Sequence, residues 1–539
     1  MKKILYILLF SIGICGCGDR VLNIADPGNF TAESFYKNQS DMDAAVIGAY
    51  GKLRDIFNNP SLPFWGEIRS DNSGFYSPSD EKNQVNLFNP LMENSPSVES
   101  VWNSSYYAII AANTVLEHVD GATYTNETIK KQHIGEAKLI RALSYFYLAR
   151  LFGGTALNGQ LLGVPKLIQH VGAQEARKIP RASLEDIYQL IVEDLTVAKT
   201  NLPPSQSGTN VGRFTSISAQ ALLGKVYMFM AGFPLLKGTS YYALAATELK
   251  SVAENGTMIL VPSYIQLFSS VVKNSSEAII EIQYQSDLSK GTGNSFQSQM
   301  LSNAAASAMV PAGDAGNQNN KPTPSILNAF SPGDPRKSVA FRPGYIQSTG
   351  SYKDEAYGHK FWQKLGQLKS DVDSYSNWTC NWKELRLAEV YLLYAEALVR
   401  TGGDKGVALT YVNKVRARAR NTNPVEDVTI VSIEARYTSW NVGIPSVSLK
   451  DYVIGDFASD SQFLLAIENE SRVEFALENK RWYDLVRTGR APVVMKAELL
   501  ADENVNLTWN DRDFALPIPQ NVMQSAPGAI IQNTGYTQL

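Results

Sequence analysis

Three glutamates recur at four-residue spacing in ESRVEFALENKRWYDLVRTGR: Glu470, Glu474 and Glu478. On a helix that spacing lines one face. Two such carboxylates, about 5 to 10 Å apart across a bound sugar, would make a glycoside hydrolase. The same stretch holds Arg472, Arg481, Arg487 and Arg490, and guanidinium forks pair readily with carboxylates. A structural ion-pair network is therefore expected, since such networks gather charge without any reaction. Glu136, Arg141, Arg386, Glu389 and Glu396, each within an otherwise apolar helical pattern, take the same reading. The four histidines, at 118, 133, 170 and 359, show no paired spacing that would suit a metal. There is no G-x-S-x-G elbow and no Walker loop, and GTG at 291–293 lacks the third glycine of a dinucleotide fingerprint. No catalytic residue, metal ligand or cofactor is expected, and a structural Ca²⁺ is left open.

The aromatics point elsewhere. They make up 10% of the 539 residues, with 26 tyrosines. A sugar ring offers flat C–H faces and a rim of hydroxyls, so its binders set a Trp or Tyr platform among Asn, Asp, Gln or Arg; such rings give large contact area at low entropic cost. Residues 71–100 and 286–382 have loop composition, rich in Ser, Asn, Gly and Pro, and loops of that length are usually functional or disordered. Asp71 and Asn72 head the first, with Phe75, Tyr76 and Phe88 inside it. Tyr345, Tyr352, Tyr357, Trp362, Tyr375 and Trp378 cluster in the second. These are the candidate ligand-binding residues, any one of which could equally be local core.

Helices must position those loops. In SDMDAAVIGAYGKLR, Ser40 and Asp43 form a capping box, with Ala44, Ile47, Tyr50, Gly51 and Leu53 near one face. The run from Ala137 to Phe152 is apolar almost all round, a buried helix stopped by Gly153-Gly154. In SLEDIYQLIVEDLTVAKTNLP, Ser183 caps and Leu184, Ile187, Ile191, Leu195 and Ala198 form the stripe. ALVRTGGDKGVALTYVNKV resembles the centre of a tetratricopeptide repeat, with a Gly402-Gly403-Asp404 turn and Ala408, Val412 and Val415 on the second helix. Leu223-Gly224-Lys225-Val226-Tyr227 repeats part of the first helix of that motif, and stacked helix pairs bury a core that no single pair could.

The N-terminus reads as an export signal: Lys2 and Lys3, then an apolar run from Ile4 to Ile14. That run is too short to span a bilayer, which takes about 20 residues. Ile14-Cys15-Gly16-Cys17 resembles a bacterial lipobox, in which Cys17 becomes the acylated N-terminus. Two or three acyl chains hold a protein on a membrane effectively permanently. With Cys380 as the one other cysteine, no disulfide framework is expected. The net charge of −3 and the absence of a basic cluster exclude the footprint of a nucleic-acid binder. The expected organisation is a signal peptide at 1–16, a tether at 17–30, and a single domain at 31–539 with an N-terminal part to about 285 and a loop-rich C-terminal part beyond it.

These stretches together resemble the SusD/RagB family of outer-membrane nutrient-binding lipoproteins. The match runs through DMDAAVIGAYGKLR, WGEIRSDN, VWNSSYYAIIAANTVLEHVD, GEAKLIRALSYFYLARLFGG, GRFTSISAQALLGKVYMFMAG, LRLAEVYLLYAEAL, NKVRARA, ESRVEFALENKRWYDLVRTG, LPIP and IIQNTGY, in the family's order. The resemblance implies an all-α fold of tetratricopeptide-like helix pairs in a right-handed superhelical scaffold, with long irregular ligand-binding loops. It implies a lipid-anchored place on the outer membrane facing the exterior, and a SusC-type TonB-dependent transporter as partner. An oligosaccharide is the implied ligand, drawn from the loops region by region. Trp65, Trp102, Trp382 and Trp482 fall within the family's structural motifs and are assigned to the core. A peptide ligand on the same fold, or a lipid-anchored scaffold without a small ligand, are the alternatives.

Overall fold

The computed structural model describes residues 35–58, 62–74, 81–268, 272–285, 292–296, 321–342, 344–346, 352–354, 361–362, 379–422 and 449–538. Its framework is a succession of helices whose limits follow from their caps. Helix α1 (Gln39–Asn58) is capped by Asn38 and not by the expected Ser40: Asn38 Oδ1 accepts from the amides of Ser40 and Asp41 at 2.9 and 3.1 Å. The face it buries is Met42, Val46, Ala49, Leu53 and Ile56. Ile47 is 56% exposed, so the expected stripe is rotated; the buried face is the one with a large apolar residue at every i, i+3 or i+4 step.

Helix α2 (Pro96–His118) starts at a Ser95-Pro96 cap. Helix α3 (Glu127–Phe152) ends at Gly153 and is buried on nearly all sides from Gln132 onward, as expected. Helix α4 (Leu184–Asn201) has Ser183 Oγ accepting from the Asp186 amide at 3.0 Å, and its stripe of Leu184, Ile187, Ile191, Leu195 and Ala198 is buried. Helices α5 (Ser216–Ala231) and α6 (Thr239–Ala253) follow. A side chain at Gly224 would sit 2.7 Å from Leu249 Cγ of α6, which is why the motif keeps a glycine there. Helices α7 (Leu387–Arg400) and α8 (Lys405–Arg420) are joined by the expected turn, with Gly402 at φ +70 and Asp404 capping Gly406 and Val407.

Each of these eight helices packs on the one before it, α6 on α7 included. The helix-pair array is thus continuous in space although residues 254–386 separate α6 from α7 in sequence. That insertion is closed at its base by β2 (Ala278–Ile282), antiparallel to β8 (Trp382–Arg386), with Ile282 opposite Trp382 and Ala278 opposite Arg386. Among its described residues the insertion holds five further strands: β3 (Lys321–Pro322), β4 (Phe341–Arg342), β5 (Gly344–Ile346), β6 (Tyr352–Asp354) and β7 (Phe361–Trp362). The two-residue strand β1 (Ser73–Gly74) precedes them all. Part of the first expected loop is regular: a helix at Glu81–Asn86 and a tight turn at Pro90–Asn94 precede α2.

Beyond α8, helix α9 (Asp460–Glu474) packs on α7, and α10 (Arg481–Arg487) and α11 (Ala491–Asp502) follow. The C-terminal segment returns to the end of α3, where Asn533 Nδ2 donates to the Phe152 carbonyl at 3.0 Å and the Leu516 amide to that of Leu151 at 2.6 Å. Trp65, Trp102, Trp382 and Trp482 are all in the core. Among the described residues no helix is long and apolar enough to cross a membrane. Cys17 and the signal stretch lie outside the described residues.

Candidate functional site

Buried charge fixes the frame. Glu474, at the end of α9, lies 2.6 Å from Arg386 Nη1 and 2.9 Å from Arg336 Nη1, and Arg418 Nη2 donates to it as well. Arg386 reaches Glu277 and Glu478 at 2.8 Å each, Arg336 reaches Glu470 and Asp334 at 2.7 Å, and Arg416 reaches Glu470 at 2.6 Å. None of these side chains is more than 6% exposed.

The expected ion-pair network is therefore present, with two corrections. The arginines that hold Glu470, Glu474 and Glu478 come from other segments, while Arg472, Arg481, Arg487 and Arg490 pair with Asp71, Glu468, Glu396 and Asp484. And α9 stops at Glu474, with Phe475 as its C-cap, so Glu478 is off the helical face that its spacing suggested.

Other carboxylates are held in the same way. Arg487 donates to both oxygens of Glu396 at 2.8 and 2.7 Å. Burial alone would raise the Glu396 carboxyl, but Arg487 and Arg400 bring it down to about 2. Glu389 lies 2.8 Å from Lys225 and 3.1 Å from Lys480, and these cations outweigh burial to place it at about 2. Arg213 pairs with Glu136 and Arg141 with Asp194, each at 2.7 Å. Glu396 and Glu389, held so low, have no proton to give at neutral pH. Among the described residues no group of three His, Cys, Asp or Glu is placed to hold a metal ion.

A second cluster ties the two candidate loops together. Asp71 accepts from Arg481 Nε at 2.7 Å and Nη2 at 2.9 Å. Burial would raise the Asp71 carboxyl, but Arg481 and Arg472 hold it below the usual carboxylate range. Asn72 donates to Glu67 at 2.9 Å and accepts from Arg472 Nε at 2.8 Å. The Thr323 amide donates to the Asn72 carbonyl at 3.0 Å, and Thr323 Oγ1 donates to the Asp71 carbonyl at 2.7 Å. Immediately beyond, β1 pairs with β3: Ser73 opposite Pro322, Gly74 opposite Lys321. β7 lies against β3 and pairs with β4, Trp362 opposite Phe341 and Phe361 opposite Arg342. Strands whose hydrogen-bonded residues Ser73 and Lys321 are 248 apart in sequence thus bring parts of both loops to one place. A small gap, of about 10 Å³, opens beside them, lined by Ser73, Gly74, Asn86, Thr323, Glu498 and Glu503 among others.

The candidate residues fall into three groups. Asp71, Asn72 and Phe88 are interior: the first two are engaged as above, and Phe88 is 3% exposed, packed on Trp482 and Trp509 under the Arg69 guanidinium. They hold the stem, where the sequence suggested ligand contact; the arginine partners of Asp71 and Asn72 lie some 400 residues away and are invisible locally. Tyr345, Tyr352 and Trp362 stand on strands of the second loop. In the β5–β6 ladder Tyr345 is opposite Lys353 and Ile346 opposite Tyr352. Phe75, Tyr76, Tyr357, Tyr375 and Trp378 lie outside the described residues. Sequence reasoning missed Thr323 and Glu498; the Thr-Pro pair that caps the helix Pro324–Ala329 was the signal for the first.

Residues 342–536 match a family model described as SusD family, and residues 33–228 match one described as starch-binding, associating with the outer membrane. A SusD-like protein of Bacteroides ovatus is 26% identical over 514 residues, covering 90% of this chain and 82% of that protein. A solved SusD homologue from Bacteroides thetaiotaomicron superposes with a TM-score of 0.73 at 19% identity, covering 96% of this chain and 100% of the other, which is a likeness of fold. A structure described as a laminarin-binding SusD-like protein is 25% identical with a TM-score of 0.69, over 93% of this chain and 100% of its own.

Proposed function

Because the chain belongs to the SusD/RagB family, we propose that it is a cell-surface lipoprotein, anchored through Cys17, that captures oligosaccharides and hands them to a SusC-type TonB-dependent transporter in the outer membrane. It is a binding protein and not an enzyme; the carboxylates best spaced for sugar hydrolysis are held by arginines. One observation carries the ligand reading: the stems of two aromatic-rich loops, far apart in sequence, meet at the β1–β3 pair with β7 against it. A platform assembled from both loops suits an extended sugar chain, whose faces stack on rings while its hydroxyls bond polar groups at the rim. The laminarin-binding relative supports that ligand class, and the outer-membrane description of the N-terminal family model supports the location.

Titration calorimetry of a lipid-free form starting at Gly18 tests this, with laminarin, starch and other oligosaccharides run beside a peptide pool. Saturable binding of one glycan class that is lost when Trp378 or Tyr375 becomes Ala is the expected result. Binding confined to peptides would transfer the site to peptide uptake, and silence across the panel with an intact transporter contact would leave a scaffold role.

A further inference from the structure

Arg150 is a buried cation that the ion-pair networks leave over. It lies in the last turn of α3, 9% exposed, and its Nε donates to the Phe146 carbonyl at 3.1 Å. Among the described residues it forms no ion pair, and its Nη2 is buried without a protein acceptor. The neighbouring acids are committed to other cations. Glu384 accepts from the Tyr147 hydroxyl at 2.5 Å and from the Trp382 indole at 3.3 Å. With Glu389 it faces two ammonium groups: Lys225, 3.9 Å from Glu384 and 2.8 Å from Glu389, and Lys480, 3.1 Å from Glu389. Glu396 and Asp484 face Arg487 and Arg400. Four carboxylates thus meet four cations, and Arg150 stays unmatched.

Aromatic rings surround its guanidinium where an acid would be expected. The centroids of Phe146, Tyr483 and Tyr147 lie 3.9, 4.3 and 4.6 Å from Cζ. Ring faces attract a cation, but a buried charge ordinarily has a counter-charge as well. Beside this group, between the ends of α3 and α5 and the helices α4 and α10, is a cavity of about 20 Å³. Arg150, Tyr188 and Tyr483 are its polar lining side chains; the rest of the lining is apolar or glycine, with no acid and no amide side chain. The Tyr483 hydroxyl, like Arg150 Nη2, is buried without a protein acceptor. One water needs about 10–15 Å³ of such space, so the cavity suits a guest of one atom and is too small for a sulfate or a phosphate.

We propose that this cavity binds a single chloride ion, which accepts from Arg150 Nη2 and from the Tyr483 hydroxyl and so pins α10, in the C-terminal part of the chain, to the end of α3. A water there would accept the same hydrogens and leave the positive charge unmatched. A halide supplies both the acceptor and the counter-charge.

Crystals of the whole protein soaked in bromide, with anomalous scattering recorded at the bromine edge, locate the ion directly. The expected result is an anomalous peak in the cavity within hydrogen-bond reach of the Arg150 guanidinium; a water there without anomalous signal overturns the proposal. Urea unfolding at constant ionic strength, with chloride exchanged for gluconate, reads the same site in solution. Above the dissociation constant, each tenfold rise in chloride should lower the unfolded-to-folded ratio about tenfold. Arg150→Met, which keeps an unbranched chain among the rings, loses that dependence, and Lys178→Gln, which removes a surface cation, keeps it. Equal chloride dependence in wild type and Arg150→Met overturns the proposal. So does a bromide peak with no chloride dependence in wild type, which marks binding at soak concentration only. Should Arg150→Met not fold, the wild-type chloride dependence and the bromide peak decide together. No readout involves a glycan, so the chloride site stands or falls separately from the ligand assignment.

Discussion

The cluster around Glu474 and the clasp around Asp71 use the same residue types to opposite ends. Around Glu474, arginines from the insertion, from β8 and from α8 saturate the acids of α9, so each carboxylate has at least one cation within 3 Å. Around Asp71 two arginines are shared among its carboxylate, Asn72 and Ser325, and the Thr323 hydroxyl and amide join the two loop segments. The first arrangement ties the C-terminal segment to the helix array. The second joins the two candidate loops beside the candidate ligand site.

The contrast is sharpest where a bolt is removed. Glu474→Gln strips one carboxylate from three arginines and leaves buried positive charge uncompensated; such a loss costs about 3–5 kcal/mol, and urea unfolding should show it as a lowered midpoint. A neutral result would mean that the network is hydrated and that the two clusters do not differ. Next in size is Gly232→Ala. The added Cβ would stand 2.2 Å from the Arg487 carbonyl oxygen, a backbone atom that cannot step aside, so a loss of about 1–3 kcal/mol is expected.

Acid weakens carboxylates that cations hold in the folded state. With Glu396 and Glu389 held at about 2 against an ordinary value of about 4.3, their contribution is present above that ordinary value. It falls away as pH drops from about 4.5 toward 2, with a loss on the order of 2–3 kcal/mol for each. Thermal melts from pH 6 to pH 3 should show that decline in wild type and a shallower one in Glu396→Gln. At the bottom of the scale lies Lys178–Glu175, a pair more than 60% exposed on both sides; Glu175→Ala should change stability by no more than about 0.5 kcal/mol. A larger effect there would blur the distinction between buried and surface charge on which the comparison rests.

How much of this was readable in advance varied with how local its cause is. Helices α3 and α4 and the α7–α8 turn follow from caps, stripes and a glycine that lie within 20 residues of one another, and they appear where periodicity placed them. The face of α1 was misjudged because two faces carry apolar residues and only packing against α2 decides between them. That α6 packs on α7 across residues 254–386 has no local signature at all. The same holds for the site. Loop composition drew attention to 71–100 and 286–382, but β1, β3 and β7 are two residues long, too short for a period-two pattern. Asp71 and Asn72 looked like ligand groups because Arg472, Arg481 and Thr323 are distant in sequence.

The central claim is that the two loops form one glycan site on a shared stem. Its most direct test is a double-mutant cycle by calorimetry on the glycan that the panel identifies, with Phe75 and Tyr76 replaced by Ala in one protein, Trp378 in a second, and all three in a third. A shared platform predicts that each single change weakens the same glycan by tenfold or more and that the combined loss falls short of the sum. Losses that simply add, or a change in one loop that leaves affinity untouched, would contradict it.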